Sequence, residues 1–192
     1  MRIVAGKFRG KQLSAPADDS IRPTADRVRE SVFNILASRI GPSFDGLRVL
    51  DLFAGTGALG LEALSRGAAS VVFVDTGAEA RGLIRDHIEA FGAGGVTKLL
   101  RRDATALGPA GTMGPVDLVF LDPPYGQGLG EQALASLRDG GWLKPETILV
   151  LEEGSEVAVT LPEGFALDDR REYGAAAVHI LNLVEDDDAH TD

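Results

Sequence analysis

The 192-residue sequence contains no cysteine, which excludes disulfides, thiolate metal sites and cysteine nucleophiles. It has only three histidines, His87, His179 and His190, and no two of them have the spacing of metal ligands. No apolar run approaches the roughly 18 residues that a membrane-spanning helix needs. The first residues also lack the apolar stretch of a signal peptide. These absences predict a cytoplasmic protein without a metal. They do not fix the oligomeric state, for which we expect a monomer.

Positive charge is scarce, since 19 lysines and arginines stand against 29 aspartates and glutamates, a formal net charge of -10. That average disfavours a nucleic-acid partner, but the charge is unevenly distributed. Residues 1–16 carry four basic side chains and no acid, whereas residues 185–192 carry five acids. The acidic stretch is expected to be a disordered tail. Four basic residues, taken alone, are more typical of a solvated surface than of a nucleic-acid contact.

Short β-branched runs alternate with helical patterns along the chain, which predicts an α/β fold. Strands are expected at 48–53, 71–75, 97–101, 116–121 and 147–152, followed by an antiparallel pair at 165–171 and 176–184. Helices are expected to open at Pro23-Thr24, with Thr24 as N-cap, and to cover 60–66, 80–91 and 129–137. His87 lies beside the apolar stripe of its helix and is interpreted as a packed residue. Residues 3–13 are expected to form a small hairpin appended to the main sheet.

A glycine-rich loop follows the first predicted strand. Gly55, Gly57 and Gly60 match the G-x-G-x-x-G pattern of dinucleotide sites, but 24 glycines make a chance match easy. Asp51 lies four positions before the first glycine, where a carboxylate can meet an ammonium group. S-adenosylmethionine carries such a group and a dinucleotide does not. Glycines at this place let the backbone approach a ligand closely, so the pattern favours S-adenosylmethionine.

Two further acids follow the next two predicted strands. Asp75 can accept hydrogen bonds from both ribose hydroxyls, although an acid that caps the following turn fits the sequence equally well. Asp103 can accept from the adenine amino group while the Ala104 N–H meets the ring. Acids at the ends of three consecutive strands indicate a cofactor site more strongly than a single acid does. The predicted cofactor residues are Asp51, Phe53, Ala54, Gly55, Gly57, Asp75, Asp103, Ala104 and Asp122.

The run Asp122-Pro123-Pro124-Tyr125 directly follows an apolar strand. The two prolines hold the backbone extended and remove two N–H donors, so that the carbonyls remain as acceptors. Asp122 adds a carboxylate and Tyr125 an aromatic face. A planar base with an amino group can be gripped by these acceptors and stacked on the ring. A plain proline turn with an exposed tyrosine is the alternative, which the upstream cofactor loop disfavours. These four residues are the predicted catalytic residues.

The glycine loop and the Asp-Pro-Pro-Tyr run together resemble class I methyltransferases that modify exocyclic amines. Residues 2–10, 22–30, 57–67 and 141–143 are similar to signatures of the RsmD family, and the resemblance extends over residues 1–184. It implies a Rossmann-like seven-stranded sheet with an antiparallel last strand. It also implies methyl transfer from S-adenosylmethionine, with S-adenosylhomocysteine as product, to the exocyclic N2 of one guanine in 16S rRNA. The substrate would be the small ribosomal subunit or its assembly intermediate. Asp75 departs from the longer glutamate that such proteins often carry.

We divide the chain into a basic hairpin extension at 1–22, a methyltransferase domain at 23–184 and the acidic tail at 185–192. The predicted RNA contacts in the extension are Lys7, Arg9, Lys11 and Arg22. The alternative is a flap that only covers the sheet edge. Two other functions remain open: a DNA adenine-N6 methyltransferase, and an assembly factor that binds S-adenosylmethionine without catalysis. The chain has no inserted target-recognition domain, which argues against the first, and its intact Asp122 and Tyr125 argue against the second.

Overall fold

The computed structural model describes residues 1–17 and 25–184. The strands are β1 (Arg48–Leu52), β2 (Ser70–Val74), β3 (Thr97–Leu100), β4 (Val116–Leu121), β5 (Leu143–Gly154), β6 (Phe165–Tyr173) and β7 (Ala176–Leu183). The helices are α1 (Asp26–Ile40), α2 (Ala58–Ser65), α3 (Ala78–Ala90) and α4 (Leu129–Asp139). No helix in these described ranges is both long and apolar enough to cross a membrane.

All seven strands form one sheet in the order β3-β2-β1-β4-β5-β7-β6. The first five strands are parallel to one another, and β7 is antiparallel to both β5 and β6. The last two strands are joined by a short turn at Gly174, whose φ of 62° favours glycine. The predicted α/β sheet with an antiparallel last strand is confirmed.

The sheet is covered on both faces, as its continuous apolar strands require. On β4, Leu118 and Phe120 belong to the core beneath α1, α2 and α3, while Val119 and Leu121 belong to the core beneath α4. This alternation follows from the two-residue period of a strand. Strands β2 and β3 lie on one side of β1, and β4 and β5 lie on the other, so the strand order reverses at β1. Such a reversal opens a crevice at the carboxyl ends of the neighbouring strands.

Most element boundaries fall within two residues of the predicted ones, with two exceptions. Strand β5 begins at Leu143, four residues before the expected start, and its pairing with β4 shifts register between Val116 and Leu118. Thr24, the predicted N-cap of α1, lies outside the described residues. Ala25 occupies the N-cap position instead, without a side-chain cap.

Residues 1–17, which we call the N-terminal arm, pack against α2 and α3 and do not extend the sheet. Their antiparallel pairing is one bridge between Arg2 and Gln12, with a turn between them. Ile3 and Leu13 are only 2% and 4% exposed and belong to the main core. The sequence predicted a small hairpin appended to the main sheet; the structure adds that Ile3 and Leu13 of this segment complete the core. The predicted boundary at 22–23 and the tail at 185–192 lie outside the described residues.

A buried carboxylate on α2 holds the arm in place. Glu62 has no exposed surface, and its oxygens accept hydrogen bonds from the N–H groups of Val4 and Ala5 at 3.0–3.2 Å. Its charge is balanced by Arg66 at 2.9 Å, and by buried Arg29 at 3.9 Å. Since a buried charge is tolerated only when it is paired and hydrogen-bonded, the arm completes the environment that Glu62 needs.

Candidate active site

The carboxyl ends of β1, β2 and β4 border a cleft of about 620 Å³, which we call the cleft. It brings together the glycine loop, the start of α3 and the turn after β4, which are far apart in sequence. The predicted site residues among its lining are Asp51, Phe53, Ala54, Gly55, Asp75, Asp122, Pro123, Pro124 and Tyr125.

The loop from β1 to α2 has an unusual backbone. Phe53 has a φ of 52°, the only positive value at a non-glycine residue in the described ranges. Such a conformation costs of order 1–3 kcal/mol and is typical of functional loops. Gly55 and Gly57 also have positive φ, and a Cβ on Gly57 would lie 3.2 Å from Ile84. The loop is thereby held close against α3.

Gly60 does not line the cleft and serves helix packing instead. A Cβ there would lie 2.5 Å from the Phe73 ring and 2.8 Å from Val71, so glycine allows α2 to pack on β2. Its N–H also donates to the Asp51 carboxylate at 3.0 Å. The third glycine of the motif therefore serves helix–strand packing and orients an acid.

Asp51 is only 1% exposed. Burial raises the pKa of Asp51 to about 8, because the ionised form loses water; the Gly60 hydrogen bond opposes the shift and the charge of Asp75 adds to it. A cation in the cleft would favour the ionised form. This environment fits the ammonium group of S-adenosylmethionine.

Asp75 binds the backbone on both sides of the cleft. One carboxylate oxygen accepts from Gly55 N–H at 2.9 Å, and the other accepts from Gly77 N–H at 2.7 Å. The turn-capping interpretation therefore describes one of its contacts. Each oxygen has a second lone pair, so these contacts leave acceptor capacity for ribose hydroxyls.

Glu79, in the first turn of α3, lines the same cleft although the sequence did not single it out. Its carboxylate accepts a hydrogen bond from the Ala17 N–H of the N-terminal arm at 2.7 Å. An acid in the first turn of a helix is already explained by its favourable interaction with the helix dipole. The sequence therefore offered no reason to assign Glu79 to the site.

Asp103 and Ala104 are not among the residues that line the cleft. The exposed Asp103 carboxylate accepts from the backbone N–H and hydroxyl of Thr105 at 2.8 and 2.7 Å, and these hydrogen bonds, the hydroxyl first, lower its pKa. Ala104 is buried in the core beneath α4. Their contact with adenine stays a prediction.

Two acids at the end of β5 hold the turn after β4. The Tyr125 hydroxyl donates to Glu152 at 2.7 Å, and the Gly126 N–H donates to Glu153 at 2.9 Å. Both glutamates are buried, at 8% and 2% exposure. Sequence reasoning missed them, because a pair of glutamates at a strand end is typical of a solvated surface.

The described RNA candidates lie on the surface of the arm. Lys7, Arg9 and Lys11 are exposed, and the ammonium groups of the two lysines lie 5.0 and 5.2 Å from the centre of the Phe8 ring. Phe8 packs on Phe91 at the end of α3, with the ring centres 5.0 Å apart. Arg22 lies outside the described residues.

The described parts of the chain contain no group of three or more histidine, aspartate and glutamate side chains that could hold a metal ion.

Comparison with known proteins places this architecture in a family. A family model described as "Conserved hypothetical protein 95" matches residues 1–182. Ribosomal RNA small subunit methyltransferase D of Escherichia coli is 35% identical over 181 residues, covering 94% of this chain and 88% of the relative. A Bacillus subtilis protein, YlbH, provisionally named an rRNA methyltransferase, is 36% identical and covers 94% of this chain and 97% of its own length.

A solved Escherichia coli structure, yhhF, provisionally described as a methyltransferase, superimposes with a TM-score of 0.79. It is 34% identical and covers 95% of this chain and 97% of that one. The family model, which matches residues 1–182, spans the N-terminal arm, the glycine loop and the turn after β4. The chain belongs to this family, the RsmD family of methyltransferases.

Proposed function

We propose that this protein transfers a methyl group from S-adenosylmethionine to the exocyclic N2 of a specific guanine in 16S rRNA. The observation that carries the proposal is the shared cleft, in which buried Asp51 and the glycine loop face the turn from Asp122 to Tyr125. The relatives named as rRNA methyltransferases support RNA as the substrate class. The choice of guanine N2 is supported by the resemblance to the RsmD family.

The cleft offers a complementary group for each polar part of the cofactor. Asp51 would hold the ammonium group, Asp75 the ribose, and the loop from Phe53 to Gly57 would lie against its main body. When bound, S-adenosylmethionine supplies an activated methyl group on a sulfonium, so the protein mainly has to place the accepting nitrogen correctly.

The turn after β4 would prepare that nitrogen. The amino lone pair of guanine is delocalised into the ring and is barely nucleophilic. Acceptors at the Asp122 carboxylate and the Pro123 carbonyl draw the amino hydrogens out of the ring plane, while Tyr125 stacks on the base. Positive charge then develops on N2, and the carboxylate of Asp122 stabilises it and accepts the proton that is lost. A carboxylate is a sufficient base for such an acidic cation.

The arm would bring the RNA to this turn. Exposed Lys7, Arg9 and Lys11 supply local positive charge on a chain of net charge -10, and Phe8 adds an aromatic ring. Phosphate contacts dominate nucleic-acid affinity, which is why a local basic surface is required. We also propose that Arg22, which lies outside the described residues, contacts the RNA. We also propose that the protein works in the cytoplasm as a monomer, on the small ribosomal subunit or its assembly intermediate.

A methyl-transfer assay with labelled S-adenosylmethionine tests the proposal. Purified 16S rRNA, small subunits and genomic DNA are offered in parallel, and the labelled nucleoside is identified by mass spectrometry. We expect N2-methylguanosine from the ribosomal samples, with Asp122→Ala as the negative control. N6-methyladenine from DNA would make the protein a DNA methyltransferase, and cofactor binding without any product would make it a non-catalytic assembly factor.

A further inference from the structure

His87, on α3, contacts both the N-terminal arm and the loop from β1 to α2 (residues 53–57), called the cofactor loop, and the residue is only 3% exposed. The Ser14 N–H donates to Nε2 at 2.9 Å, and Nδ1 lies 2.8 Å from the Thr56 carbonyl oxygen. A backbone N–H can only donate, so Nε2 is the acceptor. The proton is therefore on Nδ1, which donates to Thr56. Both contacts are made at once only by a neutral imidazole in this one tautomer.

The two groups that His87 joins belong to different parts of the proposed site. Thr56 lines the cleft, within the loop whose backbone is strained at Phe53. Ser14 follows buried Leu13 in the arm that carries the exposed cations. A second contact also joins the arm to the cleft: the Ala17 N–H donates to Glu79, which lines the cleft. Both contacts are made by side chains of α3, so the helix serves as a fixed base between arm and cleft.

We propose that His87 is a positioning residue that couples the cofactor loop to the N-terminal arm, so that cofactor and RNA strengthen each other's binding. The inference rests on the proposed function, since it takes the cleft as the cofactor site and the arm as the RNA site. A ligand that fixes the loop also fixes the direction of the Thr56 carbonyl. The imidazole is then held in the tautomer and orientation that accept the Ser14 N–H. Coupling of this kind is reciprocal, so an ordered arm favours the cofactor by the same factor.

Three substitutions separate the two halves of the contact. His87→Asn keeps a donor near the Nδ1 position, towards the loop, and His87→Gln keeps an acceptor near the Nε2 position, towards the arm. His87→Phe fills the space and removes both. Each should uncouple the two sites, because none bridges both partners. Glu89→Gln, an exposed position on the same helix, is the matched control.

The test measures amide hydrogen exchange of residues 13–17 in the full chain, with and without S-adenosylhomocysteine, beside calorimetric titration of the same ligand. In the parent and in Glu89→Gln, bound ligand should slow exchange at Ser14 by about fivefold or more, the lower range of typical coupling. In the three His87 variants the ligand should still bind, but the exchange rate should stay nearly unchanged. A 16S rRNA fragment should likewise tighten ligand binding in the parent and not in the variants.

The outcomes are distinguishable. Ligand binding without any change at Ser14 in the parent overturns the coupling and leaves the proposed function standing, as does slowing that persists in all three His87 variants. Absence of ligand binding in the parent overturns the proposed cofactor site and this inference with it. If His87→Phe does not fold, the Asn and Gln variants decide the question, since each keeps a polar contact.

Discussion

At the residue scale, the raised pKa of Asp51 makes folding stability depend on pH. Between the ordinary carboxyl pKa of about 4 and the value of about 8, the folded protein holds a proton that the unfolded chain releases. The stability of the ligand-free protein should therefore fall as the pH rises through this window and level off above it. Asp51→Asn should remove that part of the slope, which urea unfolding at several pH values will show. An unchanged slope would contradict the buried, protonated state.

The same residue makes ligand binding pH-dependent in the opposite direction. The ammonium group of S-adenosylmethionine pairs with the ionised form of Asp51. The dissociation constant should therefore fall by up to about tenfold per pH unit as the pH rises towards 8. Calorimetry without RNA measures this. Asp51→Asn should bind weakly with no such gradient, whereas Asp75→Ala should bind weakly and keep it. If neither variant changes the dissociation constant, the cleft does not hold the cofactor as described.

Asp122→Ala tests the chemical step. The variant should bind S-adenosylmethionine within a few-fold of the parent but lose about a hundredfold or more in turnover, as expected when a transition-state acceptor is removed. Single-turnover methylation beside calorimetry separates the two effects. Methylation at the parental rate would contradict the role of the carboxylate.

Tyr125 is expected to bind the target base through its ring, while its hydroxyl keeps the ring in place through Glu152. Tyr125→Ala should weaken RNA binding by about 1–3 kcal/mol, the usual worth of base stacking. Tyr125→Phe should cost less. The effects of Tyr125→Phe and Glu152→Ala should be non-additive, because both break one hydrogen bond. Equal losses in Tyr125→Ala and Tyr125→Phe would assign the binding to the hydroxyl.

The sequence identified those site residues whose signal is local. Asp51, the loop glycines and the turn after β4 each follow an apolar strand, and parallel strands bring their carboxyl ends to one edge. Glu152, Glu79 and His87 could not be found in this way. Their roles depend on partners 27, 62 and 31–73 residues away, and for Glu152 and His87 also on burial, neither of which a local pattern encodes.

At the element scale, the close approach of the arm to α2 gives a sharp test. A Cβ on Gly6 would lie 1.9 Å from the Ser65 carbonyl oxygen, while one on Gly10 would meet nothing within 4 Å. Both glycines have positive φ, at 84° and 82°, so an alanine would suffer similar backbone strain at either position. Gly6→Ala should therefore destabilise the protein by about 1–3 kcal/mol more than Gly10→Ala, the usual cost of overpacking. Thermal unfolding measures the difference, and equal destabilisation would mean that the arm does not pack here.

Strands and the final hairpin were predictable because apolar runs and turn residues define them directly. The packing of the arm was not predictable, since its glycines and basic residues indicate a small hairpin but not the surface on which it lies. What decides its position is Glu62, a charged residue within the α2 sequence that pairs with Arg29 and Arg66. A buried charge cannot be recognised from sequence until its partners are known.

At the scale of the whole molecule, charge is separated along the chain. Residues 1–30 hold seven basic and four acidic side chains, whereas residues 31–192 hold twelve and 25. Replacing Lys7, Arg9 and Lys11 by glutamine should lower the slope of log affinity against log salt by about 2, at about 0.7 per contact with single-stranded RNA. Lys98→Gln, exposed on β3, is the control and should leave it unchanged. Filter binding over a range of salt measures the slope, and an unchanged slope in the triple variant would move the RNA site elsewhere.

The placement of Ile3, Leu13 and the Glu62 contacts also limits how this architecture can be re-engineered. A recognition domain joined by a linker can be exchanged as a cassette, but here the exposed cations lie between Ile3 and Leu13, which complete the core. A foreign arm whose backbone follows another path would leave the Glu62 carboxylate without its N–H donors, and such a chimera would have a folding defect before its specificity is altered. New RNA targets are therefore reached most readily by exchanging surface side chains on an unchanged framework, and libraries should vary Lys7, Arg9 and Lys11 alone.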